Sequence, residues 1–196
     1  MVLMASMLMF SGEVIAQRFP SQMWHKGFVL TAKKDTVAGS IQYDMVANSI
    51  QVKTKDKAYS FSSHNLLFCE FLDVTIDNKR RFYAMPYELR KGFKAKVLFE
   101  LLFEGPTSLL AREEIVQETT PNNNIYGGTI SRNRLKYYYY LLDNNGRIRY
   151  FNGKKPELLS LLRDKSGPVK SFMKENKLKT DDVRDLIRII AFYNSI

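Results

Sequence analysis

The feature that most constrains the fold is a series of short apolar and aromatic runs, separated by turn-forming residues, that continues from residue 26 to residue 151. Runs of this kind, rich in Val, Ile, Phe and Tyr, are typical of antiparallel sheets. The predicted strands are 27–32, 37–43, 49–54, 58–62, 66–73, 81–85, 95–104, 107–118, 134–142 and 147–151. About ten such strands would form a strongly curved sheet, a sandwich or a partly closed barrel.

Beyond residue 152 the pattern changes to short helices. Pro156 suits the first turn of one helix, Gly167-Pro168 breaks the chain before a second, and Thr180 is expected to cap a third. Apolar residues at helical spacing mark the third helix most clearly. The predicted class is α+β, in which an antiparallel β domain, 17–152, is followed by a helical region, 153–196. That region is expected to pack on the sheet or to form a small subdomain.

Residues 119–133 interrupt the strand pattern. They contain Pro121, three consecutive asparagines and Gly127-Gly128, and they show no apolar periodicity. Loops of this length are usually either functional or mobile. The composition here favours a mobile loop.

The first sixteen residues are set apart by an apolar run, 2–10, followed by polar residues and then by Ala16-Gln17. The run has the length of a signal-peptide core, with a small residue at a plausible cleavage point. It is shorter than the roughly 20 residues that a bilayer-spanning helix needs. Residues 1–16 are therefore predicted to be a signal peptide. Because no Lys or Arg precedes the run, a buried first strand or helix is the alternative.

Composition indicates a folded protein with a basic surface. Hydrophobic residues make up 45% of the chain and aromatic residues 13%, which argues against disorder. The net charge is +10, and loss of Glu13 with the signal peptide would raise it to +11. Such a surface attracts polyanions in general, including nucleic acid, anionic lipid headgroups and acidic glycans. For an exported protein, envelope components are favoured over nucleic acid.

Cys69 is the single cysteine, so no internal disulfide can form. It lies in the apolar run 66–71, which predicts a small buried side chain rather than a reactive thiol. The two histidines, His25 and His64, are too sparse and too separated to predict a zinc site. No cofactor is predicted.

The strongest candidates for acid–base catalysis are four carboxylates near the predicted turn at Gly105-Pro106. They are Glu100, Glu104, Glu113 and Glu114. Because charged and apolar residues alternate here, these side chains are expected to line the solvent-exposed face of ordinary strands. A catalytic carboxylate pair is the alternative. No other catalytic constellation is recognised, so the chain is predicted not to be an enzyme.

The best candidate site is a predicted hairpin over residues 134–151. Asn145-Gly146 is a strong two-residue turn signal, and a turn centred there pairs Leu142 with Arg149 and Tyr140 with Phe151. In that register one face is wholly uncharged and is expected to be core. Its members are Leu135, Tyr137, Tyr139, Leu141, Ile148 and Tyr150.

The opposite face of this hairpin would form a basic–aromatic strip. The predicted binding residues on it are Arg134, Lys136, Tyr138, Tyr140, Arg147 and Arg149, with Phe151 beside them. Tyrosine rings on an open sheet face can stack on sugars or bases, while the cations hold carboxylates or phosphates. The alternative is an outer face on which basic side chains only cover tyrosine rings.

Several short segments give the chain a recognisable layout. They are 81–86, 98–105, the tyrosine-rich strand with Asn144-Asn145-Gly146, and 189–195, together with a predicted signal that ends near Ala16-Gln17. In this layout the chain resembles a group of exported cell-envelope proteins of Gram-negative bacteria to which no activity is assigned. The resemblance covers most of residues 24–196. It implies a location in the periplasm or cell envelope and supplies no catalytic residue.

Together these patterns predict an exported, non-enzymatic envelope protein that acts as a binding or accessory module for an anionic partner. That partner would be a glycan, lipopolysaccharide, a membrane surface or an envelope protein. A nucleic-acid-binding protein is the alternative if residues 1–16 are not a signal peptide. A hydrolase of envelope polymers is the third hypothesis, for which no catalytic set is recognised.

Overall fold

One antiparallel sheet and three helices build the structure, a computed structural model that describes residues 18–121 and 127–196. The strands are β1 His25–Thr31, β2 Thr36–Asp44, β3 Ser49–Lys53, β4 Ala58–Ser62, β5 Leu66–Asp73, β6 Asn78–Arg90, β7 Phe93–Phe103, β8 Ser108–Pro121, β9 Thr129–Leu142 and β10 Ile148–Phe151. The helices are α1 Lys155–Leu161, α2 Ser166–Glu175 and α3 Val183–Ser195. Ten strands followed by three helices confirm the predicted α+β class. The predicted signal peptide, residues 1–16, lies outside the described residues.

The strands are hydrogen-bonded in the order β10-β9-β8-β7-β6-β5-β1-β2-β3-β4, so β10 and β4 are the two edges. Each neighbouring pair is antiparallel. Among the described residues no ladder joins the two edge strands, and the sheet is open. The expected closure into a sandwich or barrel is not formed.

Strands β7 and β8 are paired only near the turn that joins them. Their ladder extends from Phe103 opposite Leu109 to Glu100 opposite Ala111. Beyond that point β7 pairs only with β6, and β8 pairs only with β9. The β6–β7 and β8–β9 hairpins therefore leave the sheet as two separate two-stranded arms.

Two predicted boundaries are wrong because both arms are longer than expected. β6 continues past Pro86, the residue predicted to end it, since the strand has lost β5 as a neighbour after Tyr83 and the missing proline N–H lies at an open edge. Most of the predicted loop 119–133 is also strand, because β8 reaches Pro121 and β9 begins at Thr129. Side chains there are exposed on both faces, so the sequence shows no apolar alternation.

The apolar core is divided between the two faces of the sheet. On one face a cluster built on strands β1 to β7 includes Ile41 and Phe71. On the same face, helices α1–α3 cover Leu141 and Phe151. The helical region therefore packs on the sheet. A third cluster, around Phe99, lies on the opposite face.

Helix α3 begins beside the end of β10. Its N-cap is Asp182, whose carboxylate accepts hydrogen bonds from the N–H groups of Arg184 and Asp185 at 2.8 and 3.1 Å. Thr180, the predicted cap, instead donates its hydroxyl to the carbonyl of Gly153 at 2.7 Å.

No helix in the ranges 18–121 and 127–196 is both long and apolar enough to span a bilayer.

The thiol of Cys69 lies inside the first core cluster, opposite Val29 of β1 and Phe82 of β6, and it is fully buried. The predicted burial is confirmed. Burial raises the pKa of the thiol, which keeps it protonated and unreactive at neutral pH. We expect an aromatic disulfide reagent to label the protein only after denaturant is added. Rapid labelling of the native protein would contradict this interpretation.

Candidate functional site

A buried cluster of charged side chains surrounds Arg80 of β6. Its Nε and Nη2 donate to the two oxygens of Glu100 at 2.7 and 2.6 Å. Nη2 also donates to Glu113 Oε2 at 2.8 Å, and Nη1 donates to Tyr43 Oη at 2.6 Å and to Asp73 Oδ2 at 3.2 Å. The Tyr43 hydroxyl in turn donates to Glu113 Oε1 at 2.5 Å. All five residues are buried.

This cluster corrects part of the expectation for the four carboxylates. Glu104 and Glu114 are exposed, as predicted, but Glu100 and Glu113 are only 7% and 5% exposed and bind Arg80. The available signal was the apolar sequence on either side of Glu100, which is typical of a strand buried on both faces. A charge in such a strand needs a buried partner.

The charges in this cluster perturb one another because water is excluded. Desolvation raises the pKa of Glu100, although hydrogen bonds from Arg80 oppose that effect. For Asp73 the balance is reversed: desolvation would raise its pKa, but hydrogen bonds from Thr75 and the charge of Arg80 lower it. Desolvation also raises the pKa of Tyr43, so this hydroxyl stays protonated and donates to Glu113.

The Arg80 cluster is arranged to cross-link strands. Both oxygens of Glu113 are already hydrogen-bonded, one to Tyr43 and the other to Arg80. Tyr43 and Glu113 line a cavity of about 560 Å³ beside the β2–β3 turn, where they face each other.

Across the described ranges, no three His, Cys, Asp or Glu side chains are placed to hold a metal ion.

The predicted register of the β9–β10 hairpin is wrong by one residue. Leu141 pairs with Arg149 and Tyr140 with Tyr150. The turn has three residues rather than two: Asp143 N–H donates to the Arg147 carbonyl at 3.1 Å, and Gly146 adopts a φ of +73°. A three-residue turn that ends in a left-handed glycine is a common hairpin connection. Because side chains alternate along a strand, a shift of one residue moves every β10 side chain to the other face.

This shift divides the predicted basic–aromatic strip. Arg134, Lys136, Tyr138 and Tyr140 share one face of β9, as expected, but their neighbour on β10 is Tyr150. Arg149 and Phe151 lie on the opposite face, which the helices cover. Arg147 lies outside β10 in the turn, with its Nε 4.0 Å from Asp143.

Burial on the two faces of β9 also departs from expectation. Tyr140, predicted to face solvent, is only 9% exposed, and its ring centroid lies 5.4 Å from that of Tyr150. Tyr137, predicted to be core, is 40% exposed. Leu141 is fully buried, as predicted. On the helix-covered face, the exposed fraction of the β9 side chains thus increases from Leu141 towards Tyr137.

A cavity of about 550 Å³ lies beside β9, just beyond the end of β10. It is lined by Val116, Glu118, Arg134, Leu135, Lys136, Tyr137, Tyr138, Tyr139, Tyr150, Phe151, Asn152, Gly153, Thr180 and Asp181. Three of the predicted binding residues, Arg134, Lys136 and Tyr138, are thus brought together. The Lys136 ammonium lies 5.1 Å from the centre of the Tyr138 ring, and an Arg134 Nη lies 3.3 Å from Glu118. We call this the β9 cleft.

Tyr87 is an aromatic neighbour of this face that the sequence analysis missed. Its ring packs edge-on against Phe99 and Tyr140, with ring centroids 5.5 and 5.6 Å away. Burial of Tyr140, with a smaller contribution from the Tyr87 hydroxyl, raises its pKa to about 12. The continuation of β6 beyond Pro86 places Tyr87 here, so the predicted end of β6 concealed it.

Arg112 was also missed, and it fills the gap where β8 leaves β7. Its Nη1 donates to the Leu98 carbonyl at 2.6 Å and to Asn48 Oδ1 at 2.9 Å, while Nη2 donates to the Met45 carbonyl. The Leu98 N–H donates to the same Asn48 oxygen at 3.0 Å. Asn48 of the β2–β3 turn and Arg112 of β8 therefore satisfy the N–H and C=O groups of Leu98, which lie where β8 no longer pairs with β7.

We expect Arg80→Met to lower the free energy of unfolding by about 3–5 kcal/mol, because three buried carboxylates would lose their cation. Urea denaturation followed by circular dichroism measures this change. The matched control is Arg81→Met, since Arg81 is half-exposed and pairs with exposed Glu104, a contact worth roughly 0–1 kcal/mol. Equal losses in the two variants would contradict a central role for Arg80.

Because the folded state raises the pKa of Glu100, the native protein binds that proton more tightly than the unfolded chain does. The resulting stabilisation is complete below the unfolded pKa of about 4.3 and is lost as pH rises through the folded pKa. We therefore expect the wild-type free energy of unfolding to fall, relative to Glu100→Gln, as pH rises above about 4.3. Urea titrations at a series of pH values test this. A difference that stays constant or grows would contradict it.

Comparison with known proteins identified no relative of this chain. No protein-family model matches the chain, and neither a curated protein nor a solved structure shows significant similarity to it.

Proposed function

We propose that this chain is an exported, non-enzymatic module of a Gram-negative cell envelope that binds an anionic partner in the β9 cleft. The observation that carries the proposal is the convergence of Arg134, Lys136 and Tyr138 on one cavity. The partner class comprises acidic glycans, lipid headgroups and acidic protein segments. The basic strip is reduced to these three residues, because Tyr140 is buried and Arg147 and Arg149 lie elsewhere.

The chemistry of the β9 cleft supports an anionic partner. Arg134 and Lys136 are exposed, so their charges are available to carboxylates or phosphates. Tyr138 is half-buried beneath the Lys136 ammonium, and the neighbouring Tyr137 ring is 40% exposed. Glu118 already pairs with Arg134, so binding would replace that exposed ion pair, which contributes little by itself. The net charge of +10 would attract a polyanion from a distance.

Export rests on the apolar run at residues 2–10 and on the resemblance to envelope proteins. We expect the mature protein isolated from the source cell to begin at Gln17, because Ala16 supplies the small residue at the cleavage point. N-terminal sequencing measures this directly. A cytoplasmic protein that retains Met1 would contradict export and would favour the nucleic-acid-binding alternative.

Reversing two charges in the β9 cleft should weaken anion binding specifically. We expect Arg134→Glu/Lys136→Glu to reduce affinity for an anionic polymer by at least about tenfold, or about 1.4 kcal/mol, since two cations would become anions. Suitable probes are poly-L-glutamate and polygalacturonate, one an anionic peptide and the other an anionic glycan. Isothermal titration calorimetry at two salt concentrations would also report the loss of counterion release.

The matched control for this experiment is Lys170→Glu/Lys174→Glu, which changes net charge equally on exposed positions of α2. We expect the control to lose much less affinity than the cleft variant. Equal losses would show that the diffuse positive charge, and not the β9 cleft, binds the polymer. The melting temperature of each variant verifies that both remain folded.

A further inference from the structure

The β9 cleft lies along a strand edge that has no backbone partner among residues 18–121 and 127–196. β8 pairs with β9 over its whole length, from Thr129 to Leu142. On the other side β10 covers only positions 139–142, because the chain leaves the sheet after Phe151. The edge of β9 over positions 129–138 is therefore open. By contrast, the gap beside β7 is closed by Asn48 and Arg112.

The hairpin turn fixes which backbone groups lie at this open edge. Asp143 N–H donates across to the Arg147 carbonyl, so the backbone groups of Asp143 point to the β10 side. Backbone direction alternates along a strand. The N–H and C=O groups of Leu135 and Tyr137 therefore point to the open edge, while those of Lys136 and Tyr138 point to β8.

Side chains on the two faces of this edge differ in chemistry. Arg134, Lys136 and Tyr138 lie on one face, and Leu135 and Tyr137 lie on the other. A strand added here would place alternate side chains beside the cations and the remaining ones beside apolar and aromatic groups. Complementary charge thus requires acidic residues on the first face and apolar residues on the second.

We propose that the anionic partner is an extended protein segment of alternating acidic and apolar residues that adds to β9 as a strand, in line with β10. This inference rests on the proposed function and specifies its partner. Strand addition uses main-chain hydrogen bonds for affinity and alternate side chains for specificity. The cleft provides the space, since the chain turns away at Asn152-Gly153, and Thr180 and Asp181, just before α3, line the cleft beside that point. A glycan could contact the same cations, but it lacks the regular row of N–H and C=O groups that an extended peptide presents to a strand edge.

The test uses the purified full chain and an end-blocked octapeptide of alternating Glu and Val, titrated by calorimetry at neutral pH. Two modified peptides carry N-methyl groups either on every Val or on every Glu. Each modification removes the N–H donors from one edge of the extended peptide and leaves the other edge intact. We expect one modified peptide to lose at least about tenfold in affinity and the other to bind almost as well as the parent. Arg134→Glu/Lys136→Glu should weaken binding of the parent peptide as well.

Other outcomes separate the two proposals. If both methylated peptides bind like the parent and only charge reversal matters, the contact is electrostatic: strand addition is overturned and the proposed function stands. If neither the octapeptide nor poly-L-glutamate nor polygalacturonate binds, both proposals fail. If the polymers bind but the octapeptide does not, strand addition of a foreign segment is overturned and the proposed function stands.

Discussion

The structure depends on one buried guanidinium. Arg80 belongs to β6 and binds side chains of β5, β7, β8 and β2, so a single residue joins five strands. β2 and β8 are well separated in the strand order, and no ladder connects them. The side chains of Tyr43, Arg80 and Glu113 make that connection instead. Breaking a buried ion pair is costly even when forming it adds little net stability. The cluster therefore fixes how β2 and β8 lie relative to each other.

The Arg80 cluster is connected to the candidate site through Glu113. Glu113, held by Arg80 and Tyr43, lies opposite Tyr137 in the β8–β9 ladder. Beyond this point β8 has left β7, and Arg112 with the β2–β3 turn fills the gap. The β8–β9 arm therefore projects from the buried core, and its outer edge has no backbone partner among residues 18–121 and 127–196. The β9 cleft therefore lies where the side chains of β9 change from buried to exposed.

The sequence was sufficient to predict the elements and the β9–β10 hairpin, but not the register of that hairpin. Alternating aromatic and β-branched runs marked the ten strands, and apolar residues at helical spacing marked the three helices. The hairpin register failed because Asn144 joins Asn145-Gly146 in a three-residue turn, and turn length decides which face each side chain occupies. The Arg80 cluster was missed because charged residues alternate with apolar ones in these strands, although the apolar sequence on either side of Glu100 also fits a strand buried on both faces. Their common partner is far away in sequence, and only the assembled sheet brings it close.

Hydrogen exchange measured by nuclear magnetic resonance distinguishes an open outer edge of β9 from a paired one. In the free protein, the amides of Leu135 and Tyr137 should exchange faster than those of Lys136 and Tyr138, which are hydrogen-bonded to β8. Saturation with the alternating Glu/Val peptide should slow exchange at Leu135 and Tyr137 and leave the other two nearly unchanged. Uniform protection along β9 in the free protein, or no change at these two amides on saturation, would contradict strand addition at this edge.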